Sequence, residues 1–184
     1  MAKKFRTFSA DFETTVYKGQ TATEVWAAAS VELFTEDVQI FHSIGDLYQY
    51  YISLDCNVCA YFHNLKFDGS FWLSYLMVDL ELKQALIKHN VQGTDVEFID
   101  KKKMQNGTFS YCISDLGQWY SITIKTHNHI IEFRDSYKLL PFSVKRIGQS
   151  FKTKHKKLDM KYEGFRYAGC EITEKEKSIL QMMY

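Results

Sequence analysis

Ser9-Ala10-Asp11-Phe12-Glu13-Thr14-Thr15 closes an apolar run, Phe5 to Ala10, that reads as a β-strand. Side chains at i and i+2 of a strand share a face, so Asp11 and Glu13 project together. Two carboxylates that close repel unless a cation or a proton lies between them. One reading is half of a divalent-metal site; the other is two solvated residues at a strand end, which is the commoner fate of a lone Asp-x-Glu. The rest of the chain decides which, by supplying partners or failing to.

Outward from that strand the pattern alternates. Glu24 to Phe34 and Val38 to His42 read as a hairpin. Leu47, Tyr50, Tyr51 and Leu54 then fall at helical spacing behind Ser43, a candidate N-cap. Val58 to Phe62 is a short continuously apolar strand, as expected for one buried on both faces. Phe67-Asp68-Gly69 opens a helix through Met77, with a weaker helical pattern continuing to about Lys88. Asn90 to Asn106 is polar, a loop around a short strand at Val96 to Ile99. Three antiparallel strands follow at Phe109 to Ile113, Trp119 to Lys125 and Ile130 to Arg134, with turns at Ser114 to Gln118 and His127-Asn128. The sole proline, Pro141, precedes a helix at about Ser143 to Phe151, and Thr173 with Glu176 forms a capping box for a last helix. This order describes a mixed α/β domain whose first strand carries its carboxylates at the C-terminal end, a usual site position in such sheets.

Length and composition narrow the class. At 184 residues, with 46% apolar and 16% aromatic residues, the chain fits one globular domain, 1–184, with a sizeable core. The net charge of +1 means that any basic surface must be local. The start lacks the apolar core of a signal peptide and no run approaches a membrane span, so a cytoplasmic protein without membrane contact is expected. The four cysteines, with a single CxxC at Cys56–Cys59 running into a strand, read as free thiols, those two buried, in a reducing compartment.

Asp68 is the third candidate carboxylate. Alone it reads as a helix N-cap; in the company of Tyr61, Phe62, Asn64, Lys66 and Phe67 it sits among groups suited to gripping a nucleic-acid end. Lys145 to Lys161 holds seven Lys or Arg, Lys145 and Arg146 among them, against one acid, Asp159; it is either a solvated loop or a phosphate-tracking surface.

Taken together, Asp11-Phe12-Glu13-Thr14-Thr15 and Tyr61-Phe62-His63-Asn64-Leu65-Lys66-Phe67-Asp68-Gly69 closely resemble the first two exonuclease motifs of protein-primed family B DNA polymerases, the phi29 type. The resemblance continues through Gly117-Gln118-Trp119-Tyr120, Asp135 to Lys145 and Lys157-Leu158-Asp159-Met160, and covers the amino-terminal exonuclease domain alone. It implies a ribonuclease H-like, DEDD-type α/β fold: a mixed sheet flanked by helices on both faces. It implies Asp11, Glu13 and Asp68 as ligands of Mg2+ or Mn2+, and Thr14, Asn64, Phe67 and Ser136 as contacts to the 3′ end of single-stranded DNA. It gives Lys157 a supporting catalytic role. The family's third motif, Tyr-x-x-x-Asp, falls on Ile179 and Met183, which have neither hydroxyl nor charge. Glu176 lies seven residues before Met183, about 10 Å along a helix. Weak or absent 3′–5′ exonuclease activity is therefore expected. The alternative is a reused, inactive scaffold that binds a protein partner, such as a host nuclease or defence complex (the host cytoplasm being its location if phage-encoded).

Overall fold

The computed structural model describes residues 4–88, 96–127, 129–153 and 165–183. Its centre is the strand that carries the two carboxylates, β1 (Phe5–Thr14). Phe8, Ala10 and Phe12 are buried along one face while Ser9, Asp11 and Glu13 are only half-buried on the other, the period-2 alternation read from the sequence. Antiparallel β2 (Val25–Glu32) pairs on one side of β1 and carries β3 (Val38–Phe41) at the sheet edge. Parallel β4 (Asn57–Phe62) pairs on the other side and is followed by parallel β10 (Ile130–Asp135). Antiparallel β9 (Trp119–Lys125) and β8 (Thr108–Ile113) come next, and the two-residue β5 (Lys83–Gln84) ends the sheet. The eight strands lie in the order β3-β2-β1-β4-β10-β9-β8-β5, a mixed sheet. A separate ribbon joins β6 (Leu86–Lys88) to β7 (Val96–Phe98).

Helices α1 (Ile44–Ser53) and α2 (Leu65–Ser74) cover one face. Leu47, Tyr51, Leu65, Trp72 and Leu76 pack there with Phe8, Phe12, Ala28, Phe62 and Phe133, and the Trp72 and Phe133 rings stack at 4.2 Å. Ser43 caps α1 as read, its Oγ accepting from the Asp46 amide at 3.0 Å. On β2, Ala28 belongs to this core and its neighbour Ala27 to a second one, with Trp26, Cys170, Ile172 and Leu180. Adjacent strand residues point to opposite faces. Helix α4 (Glu174–Met183) therefore lies across the sheet from α1 and α2, and the sheet is flanked on both sides.

The capping box at the start of α4 is present. Thr173 Oγ1 accepts from the Glu176 amide at 3.3 Å, and Glu176 Oε2 accepts from the Thr173 amide at 3.0 Å. Arg166 donates through Nε to Glu176 Oε1 at 2.7 Å while lying 5.5 Å over the Trp26 ring, which fastens α4 to β2. Burial works against ionisation of Glu176, but the bonds from Thr173 and Arg166 prevail and hold its carboxyl below the usual range.

Two expectations need correction. The helix beginning near Phe67 does not run to Lys88. It widens into a π-turn at Tyr75–Asp79 and stops; Glu81 takes a left-handed φ of 50°, and the Ala85 amide is claimed by the Phe109 carbonyl at 2.7 Å. The apolar residues beyond that break serve β5 and β6 instead. The thiols are free among the described residues, but within the CxxC only Cys59 is buried, Cys56 being half-buried; Cys170 is buried and Cys112 exposed. Of these residues, no helix is long and apolar enough to cross a membrane.

Candidate active site

The site lies where β1, β4 and β10, all running the same way, deliver their C-terminal ends to the start of α2. Asp135, the last residue of β10, is buried, and its Oδ1 accepts three amides: Asn64 at 3.1 Å, Leu65 at 3.3 Å and Tyr137 at 3.0 Å. A carboxylate on the exposed amides of a helix N-terminus satisfies groups that the helix itself leaves unbonded. Asn64 turns the chain into α2 with φ 70°, a left-handed conformation that asparagine tolerates. Its side chain makes no cap bond and stands exposed. The sequence marks Asp135 only as part of a resembling segment, although an Asp that ends a strand before Ser-Tyr is itself a capping signal.

His63 ties the same corner together. Its Nδ1 is 3.2 Å from Ser136 Oγ, its Nε2 is 2.9 Å from the Phe142 carbonyl, and its ring meets Tyr137 edge-on. Ser136 also donates to the Phe62 carbonyl at 3.3 Å, so its hydroxyl is engaged inside the protein. The bond to Phe142 tethers the chain just ahead of α3 (Val144–Ser150), whose N-cap Ser143 accepts from the Arg146 amide at 3.3 Å. Lys145 and Arg146 are both exposed there, with the Arg146 guanidinium 4.6 Å over the Phe142 ring.

Pinned in this way, α2 presents Phe67 and Asp68 on its first turn. Phe67 is 46% exposed, its ring edge-on to Phe71. Asp68 is 2% exposed, and its Oδ1 has no hydrogen-bond partner. Burial first, and then the nearby Asp11 carboxylate, push the Asp68 pKa up to about 8, partly offset by backbone amides. Asp11 and Asp68 thus form a close acidic pair in which Asp68 resists ionisation. Gly69 permits this position: a Cβ there would lie 2.7 Å from Trp119 Cζ3.

The sequence-derived residues distribute as follows. Asp11 and Asp68 meet. Glu13 and Thr14 continue along β1, both half-buried, and Asn64, Phe67 and Ser136 gather at the α2 corner. Among the described residues, no group of three or more His, Cys, Asp or Glu side chains is placed to hold one metal ion. Ile179 is half-buried on α4, and Met183 is the last residue of that helix. Lys157 lies outside the described residues.

The family model described as DNA polymerase type B, organellar and viral, matches residues 77–183. The chain belongs to that family. It is 34% identical over 176 residues to the DNA polymerase of Bacillus phage Nf, covering 92% of this chain and 27% of the phage protein. Against the DNA polymerase of Streptococcus phage Cp-1 it is 29% identical, covering 96% and 30%. The solved structure of phi29 DNA polymerase complexed with single-stranded DNA matches 97% of this chain and 29% of that one at 28% identity, with a TM-score of 0.71. The complex with primer-template DNA and incoming nucleotides matches 100% and 29% at 28% identity, with a TM-score of 0.75. The chain therefore spans less than a third of the relatives it matches. That portion is their exonuclease-like domain, and the ribonuclease H-like fold read from the motifs is the fold present.

Proposed function

We propose that this chain is an exonuclease-like module that seats the 3′ end of single-stranded DNA at a divalent-cation site and cleaves it slowly or not at all. The observation that carries this reading is Asp68: a buried carboxylate, one oxygen unpartnered, set against Asp11. An unsatisfied buried polar atom costs roughly 1–3 kcal/mol, and a bound cation would relieve both that and the repulsion of the pair. All the donors are hard oxygens, which suit Mg2+ or Mn2+. Asp11 and Asp68 would hold the ion, and Glu13, on the same face of β1 as Asp11, would join them only by a shift of its side chain. Such an ion supplies Lewis acidity and a bound water of lowered pKa.

The chain's own groups provide binding. Phe67 offers an exposed ring to the terminal base and Asn64 an exposed amide beside it, while Lys145 and Arg146 offer cations to the phosphates. Single-stranded DNA as ligand is supported by the solved phi29 complex of the same fold. Turnover is limited at α4, where Ile179 has no hydroxyl to orient a water and Met183 no charge to hold an ion.

End-labelled single-stranded DNA with Mn2+ tests the reading. The wild-type chain is expected to bind the strand and to shorten it at least about a hundredfold more slowly than an Ile179→Tyr/Met183→Asp chain, the loss typical of a missing preorganised group. Asp68→Ala should abolish shortening in both. Failure of the wild type to bind, or shortening indifferent to Asp68→Ala, sinks the proposal.

A further inference from the structure

Three aromatic side chains stand together in solvent at the same end of the sheet as the acidic pair, and the site described above uses none of them. Tyr17, Phe165 and Tyr167 are 42%, 58% and 52% exposed. The Tyr17 and Phe165 rings are 4.7 Å apart, tilted by 58°; those of Phe165 and Tyr167 are 6.1 Å apart and within 28° of parallel. Exposed rings scattered singly need no explanation, but a contiguous shelf of them marks a contact surface.

The backbone beneath the shelf is held on both sides. Tyr17 opens a turn in which its amide donates to Gln20 Oε1 at 3.0 Å and the Gln20 side chain donates to Thr23 Oγ1 at 3.0 Å. Arg166 points the opposite way from its neighbours Phe165 and Tyr167, into the sheet, where it binds Glu176 and covers Trp26. The Ala168 amide then donates to Glu24 Oε2 at 3.4 Å, and Cys170 closes a turn onto the Tyr167 carbonyl at 3.1 Å. The inward arginine thus fixes the two outward rings, so ordering them on binding costs little. Tyr17 lies six positions beyond Asp11, a span of at most about 20 Å. Exposed Lys18 adjoins the shelf and supplies a cation for a phosphate.

We infer that Tyr17, Phe165 and Tyr167 form a base-stacking platform for the single strand whose end enters the Asp11–Asp68 site. This rests on the proposed DNA-binding reading and extends it to nucleotides upstream of the terminus. Flat π-faces stack with any base, so the platform is indifferent to sequence, and stacking is worth about 1–3 kcal/mol per base.

Fluorescence anisotropy with a labelled oligo(dT) of about 12 nucleotides, beside an abasic strand of equal length, tests it on the full chain. Phe165→Ala and Tyr167→Ala are each expected to weaken oligo(dT) binding by about 5- to 150-fold. Both should leave abasic-strand binding unchanged, and Phe165→Trp should restore the affinity. Exposed positions spare the fold, which circular dichroism checks. If the wild type binds oligo(dT) and the variants bind it equally well, the platform is refuted while the site reading stands. If Phe165→Leu binds as the wild type does, or the abasic strand suffers the same loss, the contact is not stacking and the inference is overturned. If the wild type binds neither strand, both readings fall.

Discussion

Gly69→Ala should push α2 off the sheet and take Asp68 with it. The added Cβ would meet Trp119 at 2.7 and 2.9 Å and Ile122 Cδ1 at 3.3 Å, where carbon atoms ordinarily settle at about 3.5–4.0 Å. Helix or indole must therefore move by about 1 Å. Overpacking of this kind costs about 1–3 kcal/mol, and alanine's better helix propensity returns about 1 kcal/mol. The net loss is about 0–2 kcal/mol, which in a chain of this size lowers the melting temperature by at most about 8 °C. The sharper signature is coupling. Trp119→Ala removes the atoms that clash, so Gly69→Ala introduced into that background should be neutral or stabilising. A double-mutant cycle by urea denaturation is expected to give an interaction energy of at least about 1 kcal/mol. Additivity within about 0.5 kcal/mol, or a Gly69→Ala protein more stable than the wild type, would refute the packing argument. Because Asp68 precedes Gly69, the single variant should also bind Mn2+ more weakly than the wild type.

The acidic pair sets a pH dependence. The Asp68 pKa is raised from 3.8 to about 8 on folding, so the metal-free folded chain binds the extra proton; its stability is fully present below about pH 4 and lost as pH rises through about 8. Urea midpoints across that window should fall for the wild type and stay flatter for Asp68→Asn. By the same linkage, Mn2+ must displace that proton, so its affinity should climb up to about tenfold per unit between pH 6 and 8 and level off above, as calorimetry can read. Thr173→Ala removes the α4 cap and should cost about 1 kcal/mol. Arg166→Ala, which leaves Glu176 buried with less compensation, should cost on the order of 3 kcal/mol in the same denaturation assay. Asp135→Ala strips the acceptor from three amides and should cost about 1–3 kcal/mol while weakening oligo(dT) binding through displacement of Asn64 and Phe67.

What could be read from the sequence was what is chemically local. Ser43 and the Thr173–Glu176 box announce their helices because a cap and its amide lie three residues apart. Asp11 and Glu13 announce a shared face because strand geometry is period 2. The end of the helix after Asp79 was not legible, since Leu82, Ala85 and Leu86 keep a helical spacing. It is the Phe109 carbonyl, 24 positions away in the chain, that recruits Ala85 to the sheet. Asp68 could be placed on a helix but not assigned its burial or its raised pKa, which come from packing against β1. The sequence resemblance assigns Ser136 to the DNA; that its hydroxyl is bonded to Phe62 and His63 depends on residues more than 70 positions away.

The two halves of the proposed site are unequally prepared, and this bears on why activity should fail at one of them. Around Asp68 the preparation is dense. Asp135 clamps the α2 N-terminus, His63 braces the neighbouring loop, and Gly69 lets Trp119 lock the helix down. Groups from β9, β10 and the α2 corner together fix one carboxylate, and changes among them loosen it. On α4 the only two acids stand in the first turn, and both have other work: Glu174 pairs with Lys177 at 2.7 Å, and Glu176 is buried under Thr173 and Arg166. Neither can slide the two turns to Met183, about 10 Å away, without dissolving the contacts that hold α4 to the sheet. On α4 itself, a missing carboxylate therefore has no substitute. Gain of cleavage should come from substitutions at 179 and 183 alone, whereas substitutions at the α2 corner should reduce binding whatever α4 carries.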